Sequence, residues 1–252
     1  MKVFKYILDL YINASIHVAI AVFSLIQLTK YALNSSTNTN LDFFIFFGTI
    51  LGYNFLKYFE VFWKQVFTFK KNYAILLVSL TAIIGMFFCF FQLEKIIQLE
   101  FIKIGLLVLI YPFIRKFGLI KMIFVSLCLT LITVYILEIN HNYIYLFQRF
   151  AIIFCLLIPL EICDFEVDSK TIKTLPKIIG IQNLKVLGYL LLVLFCTLDF
   201  LFFKLNLTID FVIAIVIAIS IFFSNENRSK YYTSFWVESV PVFWLCLLTF
   251  TK

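Results

Sequence analysis

Charge is scarce in this sequence. Asp, Glu, Lys and Arg together make 14% of its 252 residues, which excludes a water-soluble domain of ordinary composition, where about a quarter is charged. No glycine-rich phosphate loop, internal repeat or low-complexity tract is present, which leaves out a P-loop nucleotide site, a solenoid and a disordered linker. The six cysteines, Cys89, Cys128, Cys155, Cys163, Cys196 and Cys246, form no CxxC pair, so they read as small core residues and not as a zinc or disulfide framework. His17 and His141 likewise lack zinc spacing. The first apolar stretch has no small-residue cleavage site behind it and carries Lys30 near its end, so it reads as a retained helix and not as a signal peptide.

What the chain does have is apolar length. It is 63% hydrophobic, in runs of ~20 residues, the length of a bilayer-spanning helix. The 33 phenylalanines supply bulk and form no motif. The expected fold is all-α, a single polytopic bundle over residues 1–252 with nine spans. These run over 5–33, 42–62, 73–92, 99–114, 119–137, 143–163, 183–203, 207–223 and 231–250. The net charge of +7 is distributed as orientation signals are, not as a nucleic-acid footprint. With the N-terminus in the cytoplasm, fifteen Lys and Arg fall in inside segments and five in outside segments, a clear positive-inside bias.

Within the spans, ionisable groups are costly and therefore informative. Asp9, Asn13 and His17 follow at i, i+4 and i+8, which predicts one polar stripe on the first helix. Gly48 and Gly52 open a face for close helix approach next to Asn54, with Lys57 one turn further toward the cytoplasm. Arg149 lies about two turns inside the sixth span, and its expected interior partner is Glu238 of the ninth. Pro159 precedes the densest polar stretch: Glu161, Asp164, Glu166, Asp168, Lys170 and Lys173 follow within a few residues. On a helix Glu161, Asp164 and Asp168 share a face. Two readings stand, a solvated loop and a carboxylate site holding Mg²⁺ against a phosphate.

The run from Asp164 through Glu166, Asp168, Lys170, Lys173, Thr174, Leu175 and Pro176 to Gly180 resembles the second aspartate-rich motif of the UbiA superfamily of intramembrane prenyltransferases. The family's first motif, N-x-x-x-D-x-x-x-D, is matched by Asn54 alone, because Tyr58 and Phe62 occupy the aspartate positions. Glu60 has the wrong spacing to replace either, so the resemblance is to a divergent member with a degenerate first motif.

The resemblance implies Mg²⁺-dependent transfer of an isoprenyl group from an isoprenyl diphosphate to an aromatic or lipid acceptor, with membrane lipid and no nucleic acid as its surroundings. Carried onto this sequence, it implies Asp164, Asp168 and Asn54 as catalytic residues and Asn54, Asp164, Asp168 and Glu161 as metal ligands. Lys170, Lys173 and Lys57 would bind the diphosphate, and Tyr53 or Tyr58 would face the allylic cation. The missing first-motif carboxylates favour a competing reading, an inactive lipid-binding or assembly scaffold. A transporter, a third class, accounts for Arg149 and Glu238 but not for the lysine-threonine-leucine-proline segment.

Overall fold

A computed structural model describes residues 2–35, 38–63, 69–114, 118–137, 142–165, 174–203 and 206–251. Glu166, Asp168, Lys170 and Lys173 fall outside them, as does His141. Among the described residues the chain is all-helical, in the order α1 (Lys2–Asn13), α2 (Ile16–Leu33), α3 (Thr39–Trp63), α4 (Phe69–Phe90), α5 (Lys95–Ile114), α6 (Gly118–Thr130), α7 (Tyr143–Cys163), α8 (Leu175–Ile179), α9 (Ile181–Leu198), α10 (Leu207–Phe223) and α11 (Val240–Phe250). Three π-helical turns extend or precede these helices, Leu131–Tyr135 after α6, Asp199–Phe203 after α9 and Tyr232–Val237 before α11.

Six described helices are long and apolar enough to cross a membrane: Ile16–Leu33, Tyr73–Phe90, Lys95–Ile114, Tyr143–Cys163, Ile181–Phe203 and Tyr232–Phe250. The protein is a multi-pass helical membrane protein. Ile120–Tyr135 and Leu207–Phe223 are shorter apolar helices, and α3, with Asp42, Lys57 and Glu60 in it, is not among the six. Burial separates centre from rim. α7 and α2 have 61% and 56% of their spans buried against 11% for α4 and α5, so the first two are the interior helices and the others face lipid.

The larger core packs Ile152, Ile158 and Ile162 of α7 against Leu184 of α9, Ile213, Ile217 and Ile221 of α10 and Trp244 of α11. A second joins Val22 and Ile26 of α2 to Leu41, Phe44 and Ile45 of α3. Close approach falls on other glycines than the expected Gly48 and Gly52. A Cβ on Gly52 would meet open space and one on Gly48 only Met86, whereas one on Gly85 would enter the Phe47 ring. On Gly188 it would lie 2.7 Å from Ile158 Cδ1 and 2.9 Å from Ile221 Cδ1, where α7, α9 and α10 meet. Gly188→Leu is expected to cost about 1–3 kcal/mol through overpacking, read as a lower melting temperature. Gly188→Ala should cost less, because both isoleucine termini can swing aside.

The first expected span is two helices. Ser15 sits in the left-handed region at φ 59°, ending α1 before α2 begins, so the stripe from Asp9 to His17 does not run along one helix. Tertiary contacts hold the break. Carbonyls freed at the end of α1 are met from α3, by Tyr58 Oη donating to Asn13 O at 3.0 Å and Lys57 Nζ at 3.4 Å from Ile12 O.

Polar contacts sort the bundle into two ends. At one, Lys57 meets α1, Tyr231 donates to Asp9, Lys121 pairs with Glu161, and Lys185 donates to the carbonyls of Phe222 and Ser224. We call this the basic end. At the other, Lys30 and Gln27 hold Asp42, Asn206 donates to Tyr31, and Asn40 donates to Gln92.

Candidate functional site

The basic end gathers most of the site residues expected from the sequence. Asn54 is buried on the last turns of α3, where its Nδ2 donates to Ser79 Oγ of α4 at 3.0 Å. Its Oδ1 is buried without a hydrogen-bond partner, an orphaned acceptor of the kind folded proteins rarely leave. Lys57 is exposed at the mouth of the same helix, 3.4 Å from Asn13 Oδ1. Tyr58, in the first-motif aspartate position, has its hydroxyl engaged by the Asn13 carbonyl.

On α7, Glu161 is 5% exposed and its Oε2 lies 3.0 Å from Lys121 Nζ of α6. That contact makes Glu161 half of a buried ion pair. Lys121→Met withdraws the cation from a desolvated carboxylate and is expected to cost about 3–5 kcal/mol. Adding Glu161→Gln should recover most of it, with thermal unfolding in detergent as the measurement. One turn on, Asp164 caps the C-terminus of α7 and is exposed, with its own N–H bonded to Leu160 O. Beyond it the chain re-enters at Thr174, which precedes α8, with Leu175 and Pro176 buried. The two ends of the acidic and lysine-rich segment are therefore both anchored in the bundle. Asn54 and Glu161 each answer to a different neighbouring helix, α4 and α6. Among the described residues no group of three His, Cys, Asp or Glu side chains is placed to hold a metal ion.

Beside this region sits an ion pair that residue spacing did not reveal. His17 Nε2 contacts Glu238 Oε2, and His17 Nδ1 lies 3.4 Å from Tyr11 O. With both ring nitrogens occupied, His17 ties the α1–α2 corner to the turn before α11. The expected Arg149–Glu238 pairing is corrected accordingly. Glu238 belongs to His17, whereas Arg149 lies toward the opposite end, where its Nη2 donates to Thr29 Oγ1 at 3.2 Å and to Tyr145 Oη.

Comparison with protein-family models, with curated proteins and with solved structures finds no match to this chain.

Arg149 belongs to a second polar cluster that the sequence reading did not assemble. Asp199, at the start of the π-helical turn after α9, and Asp210, in the first turn of α10, lie within hydrogen-bonding reach of each other. Gln148 faces Asp199, and Trp244 turns its indole Nε1 toward Asp210 without a regular hydrogen bond. A signal for both acids was present. Each falls inside an apolar span, the criterion that singled out Arg149.

Proposed function

We propose that the chain is a UbiA-like intramembrane prenyltransferase. It crosses the membrane nine times with its N-terminus and basic end in the cytoplasm, and moves an isoprenyl group from an isoprenyl diphosphate to a lipophilic acceptor. The observation that carries this reading is the acidic and lysine-rich segment itself. It leaves a buried membrane helix at Asp164 and returns through the buried Leu175 and Pro176 at the basic end, the end that also holds Asn54 and Lys57. The fifteen-to-five bias of Lys and Arg supports the orientation.

The fit to Mg²⁺ is partial. The orphaned Asn54 Oδ1 is a hard oxygen donor of the type the ion takes, whereas Glu161 is occupied by Lys121. Asn54, Asp164 and Asp168 are the residues that would hold it, and when bound there it would neutralise part of the diphosphate charge. The chain's own cations do the remaining work. Lys57, Lys170 and Lys173 face the negative charge that grows on the departing diphosphate. The apolar interior takes the isoprenyl chain and keeps water from the allylic carbon.

One observation favours a second reading, a scaffold that binds lipid without turnover. Tyr58 stands where an aspartate belongs, and its hydroxyl is engaged by α1. Titration of the purified protein with a long-chain isoprenyl diphosphate, with and without Mg²⁺, separates the two. Mg²⁺-dependent binding that disappears in Asp164→Ala supports the enzyme. Binding of the same strength in Asp164→Ala and without Mg²⁺ favours the scaffold.

A further inference from the structure

At the end of the bundle opposite the proposed prenyl site, a cavity of about 40 Å³ is enclosed by α2, α7, α9, α10 and α11. That volume holds roughly three water molecules. Its polar lining is dense for a membrane interior: Gln148, Arg149, Asp199, Asn206 and Asp210, with Tyr31 and Tyr145. Arg149 is 3% exposed, Asp199 4% and Asp210 9%, so the three charges are cut off from bulk water.

Two features show that this is not a closed structural network. Arg149 Nη1 and Asp199 Oδ2, both more than nine-tenths buried, have no hydrogen-bond partner and border the cavity. The charge count is also unequal. One guanidinium, always charged, faces two carboxyls, and a net negative charge in a low-dielectric site calls for one compensating positive charge. A carboxylate has only acceptors, so two carboxyl groups in hydrogen-bonding contact need a hydrogen between them. An alkali or divalent cation suits the site poorly, because Arg149 stands beside the acids with its guanidinium 5.3 Å from the Trp244 ring and the same distance from the Tyr145 ring. The other titratable groups turned toward the pair are Tyr145 from α7, Tyr31 from α2 and Cys196 from α9.

We propose that Asp199 and Asp210 form a proton-binding site: one exchangeable proton, taken from cavity water, is held between the two carboxyls and balanced by Arg149. On uptake a carboxylate oxygen gains the proton and the pair goes from two negative charges to one. On release the proton returns to water. The orphaned Asp199 Oδ2 and Arg149 Nη1 are the acceptor and donor that bind this water. The site is separate from the proposed prenyl chemistry, since Arg149 lies about 9 Å along α7 from its start at Tyr143, and the acidic segment follows the other end of that helix.

Infrared spectroscopy of the full chain in lipid nanodiscs, with aspartate carboxyls labelled by ¹³C, tests this directly. At neutral pH the unsubstituted protein should show a carboxylic-acid band from aspartate that shifts in D₂O. The band should be absent from Asp199→Asn and from Asp210→Asn, because the remaining acid then pairs one-to-one with Arg149. The proposal is overturned if every aspartate of the unsubstituted protein is ionised, if the band does not shift in D₂O, or if it survives in both variants. Stabilisation by sodium chloride over choline chloride, without an acid band, also overturns it and gives the cavity to an alkali cation. Should either variant fail to fold, the band of the unsubstituted protein and its D₂O shift decide the matter.

Discussion

Arg149→Met should lower the melting temperature sharply, in line with a loss of about 3–5 kcal/mol, the usual cost of leaving a buried charge without its partner. The guanidinium holds Thr29 Oγ1 and the Tyr145 hydroxyl, and lies over the rings of Tyr145 and Trp244. Three interior helices, α2, α7 and α11, therefore meet on one side chain. Removing it also strands Asp199 and Asp210, which face the same cavity. The sign of the companion changes is diagnostic. Asp210→Asn alone should have a much smaller effect, because it leaves one acid opposite one base. Adding Asp199→Asn and Asp210→Asn to Arg149→Met should recover most of the loss. Arg149→Lys should fall between, since it keeps the charge but not the planar fork that reaches two acceptors. Thermal unfolding in one detergent across the set is the measurement. Equal destabilisation by Arg149→Met and Asp210→Asn would contradict the charge argument.

Prenyl transfer should fall about 10²–10³-fold in Asp164→Ala and by at least as much in Asp168→Ala, the range typical for removal of one group that stabilises transition-state charge. The measurement is product formation from a labelled isoprenyl diphosphate in reconstituted membranes, with the acceptor supplied by a lipid extract of the source cells. Stability should barely change in Asp164→Ala, because Asp164 is exposed and caps its helix through its backbone N–H. That contrast separates the site from its support. Lys121→Met should act through folding, and Asp164→Ala through turnover. Loss of melting temperature in Asp164→Ala equal to that in Lys121→Met would instead make Asp164 part of the scaffold.

The helices were legible because bilayer thickness sets a long apolar run, and composition alone reveals such runs. What interrupts them was not legible. The break at Ser15 has neither glycine nor proline to announce it. It depends on Lys57 and Tyr58, more than forty positions away, taking the carbonyls that α1 gives up. Partner choice among buried charges was hidden for the same reason. Depth along a helix can be counted from sequence, but the neighbour that faces Arg149 or Glu238 is set by how helices turn about their axes. At the candidate site, Asn54 stood out as a polar residue near a span's end, and its orphaned oxygen emerged only from packing against Ser79. Asp199 and Asp210 went unassembled because they lie eleven positions apart on consecutive helices, where no fixed spacing brings two side chains together.

The wide turn Tyr232–Val237 stands just before Glu238. A wide turn holds a residue that a regular helix does not need, so deleting one residue there would tighten the coil without severing it. Everything downstream would swing by about 100° about the axis, carrying the glutamate off the imidazole it now touches. In this part of the molecule a one-codon change in length would act as a rotation inside the bilayer, felt at a distant corner and not in any loop.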